Sequence, residues 1–213
     1  MRIAGGGNVG IGETAPGQKL TVAGSISARG YCSTETNTIF GTQALNATSG
    51  GQNTAIGADA LIANQTGKNL TAIGVNALAC NTADNNTGIG VSALKENVGG
   101  TQNTALGGIS LSSNTSGSRN TAAGFAALES NTTGCDNTSV GRASMQCNTE
   151  GSANTAVGRN ALWVNTTGDV NVAVGKDALR CAQTADNNVA IGVSALRCNV
   201  SGNSNVAIGF EAL

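Results

Sequence analysis

Residues 188–199 read Asn-Val-Ala-Ile-Gly-Val-Ser-Ala-Leu-Arg-Cys-Asn, and residues 70–81 read Leu-Thr-Ala-Ile-Gly-Val-Asn-Ala-Leu-Ala-Cys-Asn. The glycine of this phrase recurs as Gly41, Gly57, Gly74, Gly90, Gly107, Gly124, Gly141, Gly158, Gly175, Gly192 and Gly209, in steps of 16, 17, 16 and then 17 seven times. A period this short, held with so little drift, means that each copy is one turn of a solenoid stacked on an equivalent neighbour. The chain therefore reads as an all-β parallel β-solenoid, or β-roll, of eleven 17-residue rungs over residues 37–213, preceded by a Gly-rich module over residues 1–36.

The columns of this ladder assign a task to each position. Just before each anchor glycine stands an apolar residue, among them Ile56, Ile73, Ile89, Val157 and Ile191, and three before it stands Thr or Val. Two positions apart on an extended chain share a face, and β-branched residues favour strands. These columns are expected to form the buried face, leaving Asn, Ala and Gly on a flat alternate face. Four after the anchor comes Leu, replaced once by Met145. Leu61, Leu78, Leu94, Leu162 and Leu196 are expected to complete the core. Whether the Ala-Leu pair sits on a second short strand or a helical turn is not resolved by so few residues, although two adjacent buried positions favour a helical or irregular turn. Columns of Asn and Gly after it mark corners, because these residues tolerate positive φ.

Composition restricts the function. The chain of 213 residues has no His, 2% aromatic residues, 31 Gly, 26 Asn and a net charge of −1. Without a basic stripe, nucleic-acid binding has no electrostatic support. No apolar run reaches the roughly 20 residues of a membrane span, and the first residues lack the apolar core of a secretory signal. Absence of His removes Ser-His-Asp catalysis and the commonest metal ligand. No catalytic, cofactor-binding or metal-binding residues are assigned, and no enzymatic activity is expected. Gly5, Gly7 and Gly10 match the spacing of a dinucleotide fingerprint, but Pro16 interrupts the helix it needs. Asp84 and Asp186 lie in matching Thr-Ala-Asp-Asn-Asn turns and read as turn residues rather than calcium ligands.

Stacking about 4.8 Å apart makes ten steps a rod of about 48 Å. The chain stops within a rung, which suggests a segment of something longer or an end covered by a partner. The flat Ala/Gly face suggests close approach of further copies, in a parallel homotrimer with that face near the threefold axis. Cys80, Cys147, Cys181 and Cys198 share a column of small residues, whereas Cys32 and Cys135 fall outside it. Cys181 and Cys198 on adjacent rungs are candidates for a disulfide. Asn-X-Thr sequons at Asn64, Asn131 and Asn165 matter only in a secretory pathway. Outward columns vary, and Trp163, the only Trp, is the candidate for carbohydrate or surface contact.

Asn8-Val9-Gly10-Ile11-Gly12-Glu13-Thr14-Ala15-Pro16, followed by Lys19-Leu20-Thr21-Val22-Ala23-Gly24-Ser25-Ile26, resembles a module of bacteriophage tail-fibre and related virion proteins. The Asn-Thr-Ala-Ile-Gly and Asn-Thr-Thr-Gly arrays resemble repeats of the same proteins. More distantly, Val-Ala-Ile-Gly is similar to head repeats of trimeric autotransporter adhesins, whose rungs are shorter. The resemblance implies a homotrimeric fibre shaft on a virion, partnered by other fibre proteins and acting near a host glycan or receptor. The alternative it leaves is a cell-surface adhesin or extracellular filament subunit.

Overall fold

The computed structural model describes residues 37–46 and 50–213, together with three short strand segments nearer the N-terminus. Those segments are β1 (Arg2–Ile3), β2 (Val9–Ile11) and β3 (Leu20–Val22). β1 pairs antiparallel with β2, and β2 pairs parallel with β3. The rest of the Gly-rich module over residues 1–36, with Gly5, Gly7 and Cys32, falls outside the described residues.

The repeat region forms one eleven-stranded parallel sheet in strict chain order. Its strands are β4 (Thr38–Phe40), β5 (Thr54–Ile56), β6 (Thr71–Ile73), β7 (Thr87–Ile89), β8 (Thr104–Leu106), β9 (Thr121–Ala123), β10 (Thr138–Val140), β11 (Thr155–Val157), β12 (Val172–Val174), β13 (Val189–Ile191) and β14 (Val206–Ile208). Like lies on like: Thr54 is opposite Thr71, Ala55 opposite Ala72 and Ile56 opposite Ile73. The 16-residue rung between Gly74 and Gly90 keeps the same pairing, Thr71 with Thr87, so its missing residue is absorbed in the corner.

Which strand face points inward is the reverse of the expectation from β propensity. From β5 to β14 the central residue of the strand is the buried one, and Ala55, Ala72, Ala105, Ala122, Ala156, Ala173 and Ala190 are sealed from solvent; in the end strand β4 that position is Ile39, half-buried. Ile56, Ile89 and Val157 are each 37% exposed and Ile191 39%, while Ile73 is half-buried. These five residues lie on the outer surface and are not part of the core. The interior is too narrow for them. A Cβ added at Gly88 would come within 3.2 Å of Leu78 Cγ and 3.0 Å of the Ala93 carbonyl, so the position opposite the Leu column admits little beyond Ala. The Ala column expected to meet a threefold axis is thus the core itself.

Leucines fill the remaining interior. Leu61, Leu78, Leu94 and Leu162 are fully buried and Leu196 is 5% exposed. They stand in turns, and no helix occurs among the described residues. Each sits in the left-handed region, with φ of 55° at Leu61 and 50° at Leu162. Two residues earlier the chain is left-handed as well, at Asp59 and Asn160. This alternation turns every second amide towards opposite neighbours. Asn76 N–H donates to Ala58 in the rung before, and Leu78 N–H to Ala93 in the rung after. The conformation costs of order 1–3 kcal/mol per residue in isolation. Burial of the Leu side chain, on the order of 1.5–3 kcal/mol, and the inter-rung bond offset it. The anchor glycines occupy φ of 129° to 143°, and a Cβ on Gly57 would collide with the Gly74 carbonyl.

Candidate functional surface

Polar groups inside the rod are paired along its length. In the corner column, the Asn97 side-chain amide donates to Asn81 Oδ1 at 2.6 Å, Asn114 to Asn97 at 2.7 Å, Asn131 to Asn114 at 2.7 Å, Asn148 to Asn131 at 2.8 Å and Asn165 to Asn148 at 2.7 Å. Each of these amides also donates to the carbonyl of the Gly three residues on, as Asn131 does to Gly134 at 3.0 Å. A second Asn column precedes the strands, where a side-chain oxygen accepts the backbone N–H one rung later: Asn103 Oδ1 from Asn120, and Asn120 Oδ1 from Asn137. Leu70 interrupts this column, yet its N–H still donates to Asn53 Oδ1 at 2.9 Å.

The corner ladder runs from Asn81 to Asn165 and stops there. Ala182 takes the place of Asn, and the Oδ1 of buried Asn165 is left without a hydrogen bond. Three residues on, the usual Gly is also replaced, by Ala185. The two changes are linked, because a Cβ at Gly168 would lie 2.5 Å from Asn165 Oδ1. Ala is accommodated at 185 where no Asn stands at 182. The sequons at Asn64, Asn131 and Asn165 stand in this corner column and are fully buried.

A third ladder runs along the surface. Asp84 Oδ1 accepts from Lys68 N–H, Ser118 Oγ from Thr101, Cys135 Sγ from Ser118, Ser152 Oγ from Cys135, Asp169 Oδ1 from Ser152 and Asp186 Oδ1 from Asp169. A short side chain with an acceptor in this column takes the N–H of the rung before it, which accounts for Cys135 and for both turn aspartates. Among the described residues no three His, Cys, Asp or Glu side chains gather in one place.

Trp163 is held rather than free. Its indole N–H donates to Gln146 Oε1 at 2.8 Å, the Gln146 amide donates to Glu129 Oε2 at 2.6 Å, and the Arg180 guanidinium lies 4.9 Å from the ring centroid. Four successive rungs thus form one external stack of Glu129, Gln146, Trp163 and Arg180, with a cation–π contact at its end. Burial, and then the Glu129 charge, push the neighbouring Cys147 thiol upward. The exposed Arg119–Asp136 pair, 2.6 Å apart, holds the Asp136 carboxyl below its usual range through their hydrogen bond. Cys181 and Cys198 are free thiols, not a disulfide. In-register stacking keeps like Cα–Cβ bonds nearly parallel, so a Cα spacing of about 4.8 Å carries through to the Cβ atoms, whereas a disulfide draws Cβ atoms to about 3.8 Å.

The outer sheet face runs across all eleven strands of the repeat sheet. Its columns are Thr38 through Thr155 continued by Val172, Val189 and Val206, and Phe40 through Ile208. No strand residue from β4 to β14 is charged. No hydrogen bond among the described residues engages the hydroxyls of Thr54, Thr71, Thr87, Thr104, Thr121, Thr138 or Thr155. Comparison with protein-family models, curated proteins and solved structures returned no match.

Proposed function

We propose that the chain is a structural shaft segment of a phage tail or virion fibre, working as a parallel homotrimer alongside other fibre proteins. The observation that supports this most is the equivalence of the rungs. Eleven strands stack in unbroken register, and the buried amides and left-handed leucines repeat from turn to turn, so residue choice inside the rod serves shape. The resemblance of residues 8–26 and of the repeats to virion fibre proteins supports the same assignment. On this reading the chain carries out no catalysis and holds no cofactor.

One observation favours a second reading, a cell-surface adhesin or filament subunit. The inward columns are nearly constant, while the outward ones vary from Phe125 to Arg142, Arg159 and Lys176. A constant scaffold with varied outward side chains suits contact with a host glycan or receptor. Immunogold labelling with an antibody against the rod separates the two. Gold along fibres projecting from purified particles supports the shaft. Gold on the cell envelope and none on particles supports the adhesin, and gold confined to the cytosol rejects both.

A further inference from the structure

We infer that the outer Thr/aliphatic sheet face is the surface through which copies of this chain meet, side by side, parallel and at equal height. The inference rests on the homotrimeric reading above and specifies where the copies touch. The ten spacings of about 4.8 Å between eleven strands, by three residues at about 3.3 Å, give a footprint of about 480 Å². That is within the size of the largest apolar patch on ordinary monomers, about 300–600 Å², a class of patch that is often functional. Three such faces turned towards one axis remove about 1,400 Å² from water across the assembly, against the roughly 1,000 Å² a specific interface needs.

Several features point to a second copy as the occupant. The face carries no charge along its length, as interface centres are depleted of charge. Charged side chains begin beside it, at Arg142, Arg159 and Lys176, all exposed, where a polar rim would lie. Its apolar residues are β-branched or Leu at most rungs, stiff side chains that lose little freedom on contact.

Orientation follows from one asymmetry. The first column is Thr from β4 to β11 and Val from β12 to β14. Copies aligned in parallel at equal height set hydroxyl against hydroxyl and methyl against methyl. Antiparallel copies would set Val189 and Val206 against threonines near β4 and β5, leaving hydroxyls without partners in a dry contact. Thr–Thr pairs across an interface can satisfy each other, so the parallel arrangement is favoured.

The test uses the full chain. Sedimentation of the unaltered protein should return about three times the chain mass of 20.9 kDa. A doubly charged variant, Ile89→Lys with Val157→Lys, places cations on the face four rungs apart and should drop to a single chain with an unchanged far-UV circular dichroism spectrum. Thr133→Lys, exposed on another side of the rod, should leave the mass unchanged. In addition, Thr54→Cys under mild oxidation should yield a linked peptide joining position 54 of two chains, because antiparallel copies would hold these positions about 38 Å apart, eight strand spacings. If the charged variant keeps the full mass, the face is wrong while the trimer stands. A monomeric unaltered chain overturns both the face and the trimer. An oligomer that never links through position 54 overturns the parallel alignment.

Discussion

Ala182 and Ala185 replace the Asn and Gly found in the same columns of neighbouring rungs, and their coupling can be measured. Introducing Asn at 182 would give the orphaned Asn165 Oδ1 the donor it lacks, as Asn165 itself supplies to Asn148 at 2.7 Å. A buried unpaired acceptor costs about 1–3 kcal/mol, so that is the available gain. The new side chain would meet the Ala185 Cβ, as a Cβ at Gly168 would meet Asn165 Oδ1 at 2.5 Å. Overpacking of this kind costs about 1–3 kcal/mol, which cancels the gain in the single variant Ala182→Asn. Ala185→Gly alone should lose about 0.5–1 kcal/mol of stability through backbone entropy. The double variant removes the collision and should exceed the unaltered chain by about 1 kcal/mol, with a coupling energy of about 1–3 kcal/mol. Urea melts of the four proteins by far-UV circular dichroism, with amide exchange at residues 168 and 185 as a local readout, close the cycle. Two single effects that simply add within about 0.5 kcal/mol would refute the linkage of the two columns.

Other consequences are as direct. Leu128→Ile should cost about 1–3 kcal/mol more than Leu128→Met in denaturant melts, because Leu128 holds φ of 52°, hostile to a β-branched residue, while Met145 already serves in the same column at 49°. Gly141→Ala, at φ of 129° with its Cβ 2.7 Å from the Gly158 carbonyl, should lower the melting temperature sharply, whereas Gly108→Ala, 3.4 Å from the Phe125 ring, should be tolerated. Alkylation followed by mass spectrometry should modify exposed Cys198 first and Cys147 late, with the Cys147 rate rising only at higher pH than for an ordinary thiol, since its neutral form is favoured. Equal rates at the two cysteines would contradict the burial assigned to Cys147.

The period, the strand at each Thr-Ala-Ile phrase and the burial of the Leu column follow from spacing alone, because an in-register stack repeats one residue type per column. The inward face did not follow. Alternation shows that Thr54 and Ile56 share a side and Ala55 takes the other, but it carries no sign, and β propensity favours a pleated, half-buried surface as readily as a core. Volume decides the matter: 17 residues enclose a channel that Leu from one wall nearly fills, leaving room for Ala on the other. The left-handed leucines were also illegible, since Leu has no intrinsic preference for that region and adopts it only where both neighbouring rungs accept its hydrogen bonds. The stack that holds Trp163 was illegible too, because its partners Gln146 and Arg180 are 17 residues away on either side.

Because the inter-rung hydrogen bonds join each rung to the turn before or after it, whole-rung gains and losses leave the cross-section untouched. A duplication or deletion of 17 codons in the gene would lengthen or shorten the molecule by about 4.8 Å while every surviving column stays aligned. The rung from Gly74 to Gly90 shows that even a single lost residue is absorbed at a corner without shifting the strands. Array length is therefore open to change by unequal recombination, independently of whether the product folds.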